Sequence, residues 1–208
     1  MEIIPVEAGP LATMCYVATD PVTGKSIVID VPPEGAEILF SLIRQNKSEL
    51  SGIILTHSHW DHSAEAGKLS EMTGAPVASH PADEYRLKNP SEHSIFHLPF
   101  KLEPVAVSKY LIHKDVISFG KEKLEIRHTP GHTEGSICLV SHTDKVVFSG
   151  DTLFKESIGR FDLPGGNQES LIDSIKQQLL SLSDNFKVLC GHGESTTIGY
   201  ERLNNPFF

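Results

Sequence analysis

Apolar residues along the first half of the chain fall in short runs broken by turn residues. Residues 2–6, 15–19, 26–30 and 52–56 are rich in Ile, Val, Tyr and Thr, the pattern of β-strands. Between the last two, Ala36, Leu39, Phe40 and Ile43 recur at helical spacing and predict a helix over residues 35–46. A second helix is expected at 63–72 with Ser63 as its N-cap, then a short strand at 76–79. The second half repeats the scheme. Residues 115–119 and 124–129 predict one hairpin, 136–141 and 145–149 another. A helix follows at 168–183, with Leu171, Ile172, Ile175, Leu179 and Leu182 on one face, and a last strand at 187–190. Strands and a helix, then the same again, predict an α+β fold: an αββα sandwich of two mixed β-sheets with helices outside. Residues 87–110 are irregular and hold Ile95, Phe96, Phe100 and Tyr110, as a lid or insertion would.

Composition narrows the setting. A chain of 208 residues can bury a full core and is read as one domain over 1–208. No apolar run approaches the ~20 residues of a membrane span, so no membrane partner is expected. The start lacks the basic and small-residue pattern of a secretory signal. Cys15, Cys138 and Cys190 form no CxxC and are expected to be reduced and buried, which suits a cytoplasmic protein. A net charge of −9 without a basic block disfavours nucleic acid as a partner. Nothing in the chain fixes an oligomeric state.

The chemistry sits in four loops, each directly after an apolar strand: THSHWDH at 56–62, TPGH at 129–132, SGD at 149–151 and GHG at 191–193. Taken singly, His132 and His192 are the kind of histidine that usually just decorates a loop, and Asp151 the kind of aspartate that caps a turn. His57, His59, Asp61 and His62 are different, because crowding them after one strand has no evident packing purpose. Strands deliver their loops to one sheet edge, so the four can converge. Imidazole and carboxylate are ligands for Zn²⁺ or Fe²⁺. Seven candidates exceed the four a tetrahedral ion takes and suit two ions sharing a carboxylate, an arrangement used for hydrolysis.

The combination THxHxDH, TPGHTxGS, FSGD and GHG, spread over almost the whole chain, resembles the metallo-β-lactamase fold superfamily, and within it the glyoxalase II-like hydroxyacylglutathione hydrolases. That resemblance implies a first ion on His57, His59 and His132, a second on Asp61, His62 and His192, and Asp151 between them. Asp61 and Asp151 are then the carboxylates of the reacting centre. The ions are divalent, with Zn expected first and Fe or Mn as alternatives. The implied substrate is a small acyl thioester, with glutathione as its thiol left open, because the C-terminal helical extension that grips glutathione in longer family members is not expected here. The Asp61-His62 pair is expected to separate the chain from true β-lactamases.

Three other readings stay open. Persulfide dioxygenases are also similar and would use one iron on His57, His132 and Asp151. A nuclease would share HxHxDH but runs against the acidic balance. A non-catalytic metal scaffold runs against a complete ligand set. Arg160 is a candidate for a substrate carboxylate, with a local pair to Asp162 as the plainer alternative. Trp60 is expected to pack on the scaffold, and His80 and His128 are candidates for bracing the ligands.

Overall fold

The computed structural model describes residues 1–94 and 98–208. Strands β1 (Glu2–Ala8), β2 (Thr13–Thr19), β3 (Lys25–Ile29), β4 (Glu49–Ile54), β5 (Val77–Ser79) and β6 (Lys109–Tyr110) form the first sheet in that order. Its first three strands are antiparallel neighbours, and β3 through β6 run parallel. The second sheet takes β7 (Val116–Phe119), β8 (Glu122–His128), β9 (Ile137–Ser141) and β10 (Val146–Gly150), and then, after a β11–β12 ribbon (Leu153–Phe154, Ser157–Ile158), β13 (Lys187–Cys190) and β14 (Thr196–Thr197). Here only β10 and β13 are parallel. Both sheets are mixed, as predicted.

Alternation along the strands builds three apolar layers. Ile27 and Ile29 of β3 meet Ile137 and Leu139 of β9 between the sheets, together with Phe119, Leu124 and Phe148. Val28 points the other way, with Val17, Ile53 and Leu55, onto Ala36, Leu39 and Ile43 of α1 (Gly35–Gln45) and Ala66 and Leu69 of α3 (Ala66–Thr73). Cys138 and Val140 of β9 likewise face outward, onto Leu171, Ile175, Leu179 and Leu182. Strands buried on both faces must be apolar at every position, which is why these segments lack a strict polar alternation. Truncating a wholly buried Leu39 to Ala would cost about 2–5 kcal/mol.

Some expectations are corrected. A short helical turn, α2 (Trp60–Ser63), begins inside the motif loop. Ser63 is therefore not an N-cap of the following helix; its hydroxyl donates back to the carbonyl of His59 at 2.9 Å. The helix predicted over 168–183 is α6 (Gln168–Ser174), capped by the Asn167 side chain at 2.8 Å, then a widened turn over Ile175–Leu179. Its freed carbonyls find partners elsewhere: Gln178 accepts from Arg127, and Leu180 and Leu182 accept from Arg202 at 2.7 and 2.9 Å. Without those arginines an early end would leave acceptors unpaired. The apolar face predicted for this helix holds. The chain after His192 adds α7 (Ile198–Asn204), which periodicity alone did not reveal.

The proposed lid is partly core. Within 87–110, Leu87, Leu102 and Val105 are buried in the layer beneath α1 and α3 or beside it, and two short helices, α4 (Glu84–Lys88) and α5 (Pro90–His93), lead into it. Phe100 and Tyr110 are exposed. Ile95 and Phe96 lie outside the described residues.

Candidate metal centre

All seven candidate ligands arrive at one edge of the sandwich. Beyond β4, Leu55 still pairs with Ala78 at 2.9 Å, and Thr56 is pinned to Asp30 by its N–H and its hydroxyl, both at 2.7 Å. The extended backbone at His59 then turns into α2, which carries Asp61 and His62. His132 comes from the loop after β8, closed by Thr129 N–H donating to Ser136 at 2.8 Å. Asp151 follows β10 and His192 follows β13, and the two loops are tied by Gly191 N–H donating to Gly150 at 2.8 Å. Gly191 has to lack a side chain, because a Cβ there would lie 2.1 Å from Asp151 Oδ1.

The outer hydrogen bonds fix where the ring lone pairs point. His132 Nδ1 donates to the Arg160 carbonyl at 2.7 Å, His62 Nδ1 to Asp30 Oδ2 at 2.8 Å, and His192 Nδ1 to the Leu11 carbonyl at 3.2 Å. His57 Nδ1 faces Thr56 Oγ1 at 3.1 Å, whose own proton is committed to Asp30. In each case Nε2 is left facing inward. His132 Nε2 lies 3.2 Å from His57 Nε2 and 2.8 Å from His59 Nδ1. His62 Nε2 and His192 Nε2 are 3.3 Å apart, with Asp61 Oδ2 3.2 Å from the latter. Facing lone pairs at such distances repel unless a cation or proton lies between them. Asp151 touches both groups, with Oδ2 3.6 Å from His132 and 3.5 Å from His192, and its buried Oδ1 lies 3.2 Å from His62 Nε2.

Charge divides the cluster. Burial, reinforced by the neighbouring rings, pushes His57 well below its ordinary pKa and His59 down to about 3, and burial lowers His132 too. These three are neutral and need lose no proton to bind a cation. At His62 burial acts in the same direction, but Asp151, Asp61 and Asp30 overcome it and hold the ring well above its ordinary value. His192 is raised as well, against burial, by its contact with Asp61. A pocket of carboxylates that holds a proton this firmly is one that a dication would occupy in its place. The donors fit divalent metal: His57, His59 and His132 form one group of converging atoms, Asp61, His62 and His192 another, and His57, His62 and Asp151 a third that overlaps both.

The model of the metallo-β-lactamase superfamily matches residues 8–192. The chain belongs to the metallo-β-lactamase superfamily. Most members of this superfamily are metal-dependent hydrolases, and its fold binds divalent metal through such a His/Asp cluster. Hydroxyacylglutathione hydrolase GloC of Haemophilus influenzae is 35% identical, the match covering 100% of this chain and 97% of that one. Among solved structures, BLEG-1 B3 metallo-β-lactamase is 31% identical with a TM-score of 0.87, covering 99% of both chains. TTHA1623 in a di-iron-bound form is 33% identical with a TM-score of 0.86, over 99% of this chain and 100% of its own. ETHE1 from Myxococcus xanthus is 26% identical with a TM-score of 0.82, over 99% of this chain and 84% of its own. The superfamily fold predicted from the motifs is thus shown.

Around this superfamily centre lies an open cleft of about 380 Å³, walled by Leu11, Trp60, Phe154, Ile158 and Leu163. Arg160 also lines it, but its guanidinium is paired with both carboxylate oxygens of Asp162 at 2.9 Å, the plainer of the two expectations. Trp60 packs edge-on against Phe100, with ring centroids 5.8 Å apart, so it touches the irregular segment. His80 and His128 do not brace any ligand directly; they stack on each other at 3.9 Å, and His128 Nε2 donates to the Glu134 carbonyl at 2.8 Å.

Asp30 and Asp83, whose carboxylates hold the ligand loops directly, escaped the sequence reading. Asp30 left one signal, a carboxylate closing an otherwise apolar strand. Asp83 left none: it sits in a polar stretch whose burial only the fold creates.

Proposed function

We propose that this protein hydrolyses small acyl thioesters, S-2-hydroxyacylglutathione among them, in the cytoplasm. His57, His59 and His132 would hold one divalent ion, Asp61, His62 and His192 a second, with Asp151 between them. The observation that carries the reading is Asp151: a carboxylate with only 11% of its side chain exposed, lying within 3.6 Å of His132 in one ligand group and of His62 and His192 in the other. The likeness to GloC supports thioesters over other esters. The nitrogen and oxygen donors suit Zn, and accept Fe or Mn.

When bound, paired dications supply a lowered water pKa, a polarised carbonyl and stabilisation of the departing thiolate. The chain's own residues do the rest. Burial opposes it, but His62 and His192 keep the Asp61 carboxyl below its ordinary range, so Asp61 stays ionised and its Oδ2 can accept a hydrogen bond from the attacking water. The apolar walls around the cleft keep bulk water from the acyl group. Leu11, Phe154 and Ile158 offer that group a surface without charge.

The test is elemental analysis of the purified protein, coupled to assays with S-lactoylglutathione and a panel of acyl thioesters. Two ions per chain and thioester turnover are expected. If the loaded protein leaves every thioester intact, the reading fails. A second reading, one iron on His57, His132 and Asp151 for persulfide oxidation, gains from the likeness to ETHE1 and predicts oxygen uptake with glutathione persulfide. Two ions with thioester turnover, against one iron with oxygen uptake, separate the two readings.

A further inference from the structure

Asp83 is a carboxylate with no exposed surface, at the end of a short helical turn (Pro81–Asp83) after β5. It is not a candidate ligand. Its oxygens instead collect three donors from the two loops that carry the first ligand group. Oδ2 accepts from Ser58 N–H at 2.8 Å and from the Thr133 hydroxyl at 2.9 Å. Oδ1 accepts from Gly135 N–H at 2.7 Å. Ser58 lies between His57 and His59, and Thr133 directly follows His132. The approach at Gly135 is possible only for glycine, because a Cβ there would meet Asp83 Cγ at 2.6 Å.

The charge of this carboxylate is answered at its back. Arg86 Nη1 lies 3.5 Å from Asp83 Oδ1 and also pairs with Glu134, while Nη2 donates to the Pro164 carbonyl at 2.7 Å. A buried anion that is paired and fully hydrogen-bonded holds its partners rigidly, whereas removing it would leave buried donors unmet. The second ligand group is held by other means: Asp30 takes His62 Nδ1, and the His62 carbonyl accepts from Val31 N–H at 2.8 Å.

We propose that Asp83 is the positioning residue of the first metal site, clamping the loop of His57 and His59 to the loop of His132, and so sets that site's affinity independently of its neighbour. The inference rests on the two-ion reading above. Because both loops are tied to one carboxylate, the spacing of three imidazoles that come from two different sheets is set by a single side chain.

The test is Asp83→Asn, read by metal affinity rather than by turnover. Zinc and cobalt are titrated against a competing chelator, with cobalt absorption used to tell a three-imidazole environment from one with carboxylates. The expected result is a 10–100-fold loss of affinity at the His57, His59 and His132 site, with the other site within about threefold of wild type. Unchanged affinity at both sites would overturn the proposal. So would an equal loss at both that tracks a lower melting temperature of the metal-free chain, the signature of a merely structural carboxylate. Thr133→Val removes one of the three donors and keeps the shape of the side chain. It should produce the same selectivity at a few-fold level, and it decides the matter if Asp83→Asn does not fold: wild-type affinities in that variant refute the clamp. A wild-type chain that takes up a single ion defeats the two-ion reading by itself, and Asp83 is then judged on that one affinity.

Discussion

The two ligand groups lie a few ångströms apart yet are built on opposite electrostatic plans. His57, His59 and His132 are neutral rings, two of them almost completely buried, held in that state by desolvation and by one another. Asp61, His62 and His192 form a charged group in which carboxylates outweigh burial, and His192 keeps 27% of its side-chain surface exposed. The first group offers lone pairs ready to bind and little charge. The second offers attraction, but a proton must leave before a cation can enter. Asp83 stands behind the first group, whereas Asp30 takes His62 Nδ1 of the second and also pins Thr56 beside His57. One short motif thus feeds two sites with different chemistry, and the difference lies in the surroundings rather than in the ligands.

The bluntest way to break this contrast is to remove what the groups share. Asp151→Ala should lower thioester turnover by more than about 100-fold, beyond what loss of an outer partner produces. It should also reduce metal content at both sites, as elemental analysis would show. Retention of both ions with near-normal turnover would remove the bridging role. Asp30→Asn is the sharper probe. It should weaken the second site by roughly 10–100-fold and, through Thr56 and His57, the first site by less, measured by the same chelator competition. Asp30 has a backbone φ of 61°, a conformation asparagine tolerates, so the chain should still fold. An equal loss at both sites would show the groups to be one unit. The smallest effect concerns the thiols. Burial pushes Cys15 up to about 12 and Cys138 up to about 11, so at pH 8 both are protonated and should react slowly with a thiol reagent in the folded protein. Reaction should become fast only on unfolding, or as the pH approaches those values, and metal loading should not change it. Protection of either thiol by metal would mean that sulfur enters a site.

Much of the fold was legible because the central sheet strands are apolar in runs and the main flanking helices carry one apolar stripe each. The periodicity of Ala36, Leu39 and Ile43 marked α1, and that of Leu171, Ile175 and Leu179 marked the outer helix of the second sheet. Helix ends were less legible, since they depend on remote partners: Arg127 and Arg202 reach the carbonyls that let the second helix stop early. β6, β11, β12 and β14 span two residues each, too few for a pattern to form.

The class of chemistry follows from the order of residues along the chain. Seven imidazole and carboxylate residues placed directly after apolar strands announce metal whatever the details, because strands bring their loops to a common edge. How those residues are held and charged is settled by packing in the folded molecule. That Asp83 is buried, that Arg86 answers its charge and that both ligand loops donate to it are contacts between segments tens of residues apart. Hydrogen bonds of that kind leave no periodic trace in a chain, since their partners are fixed by packing in three dimensions and not by spacing along one.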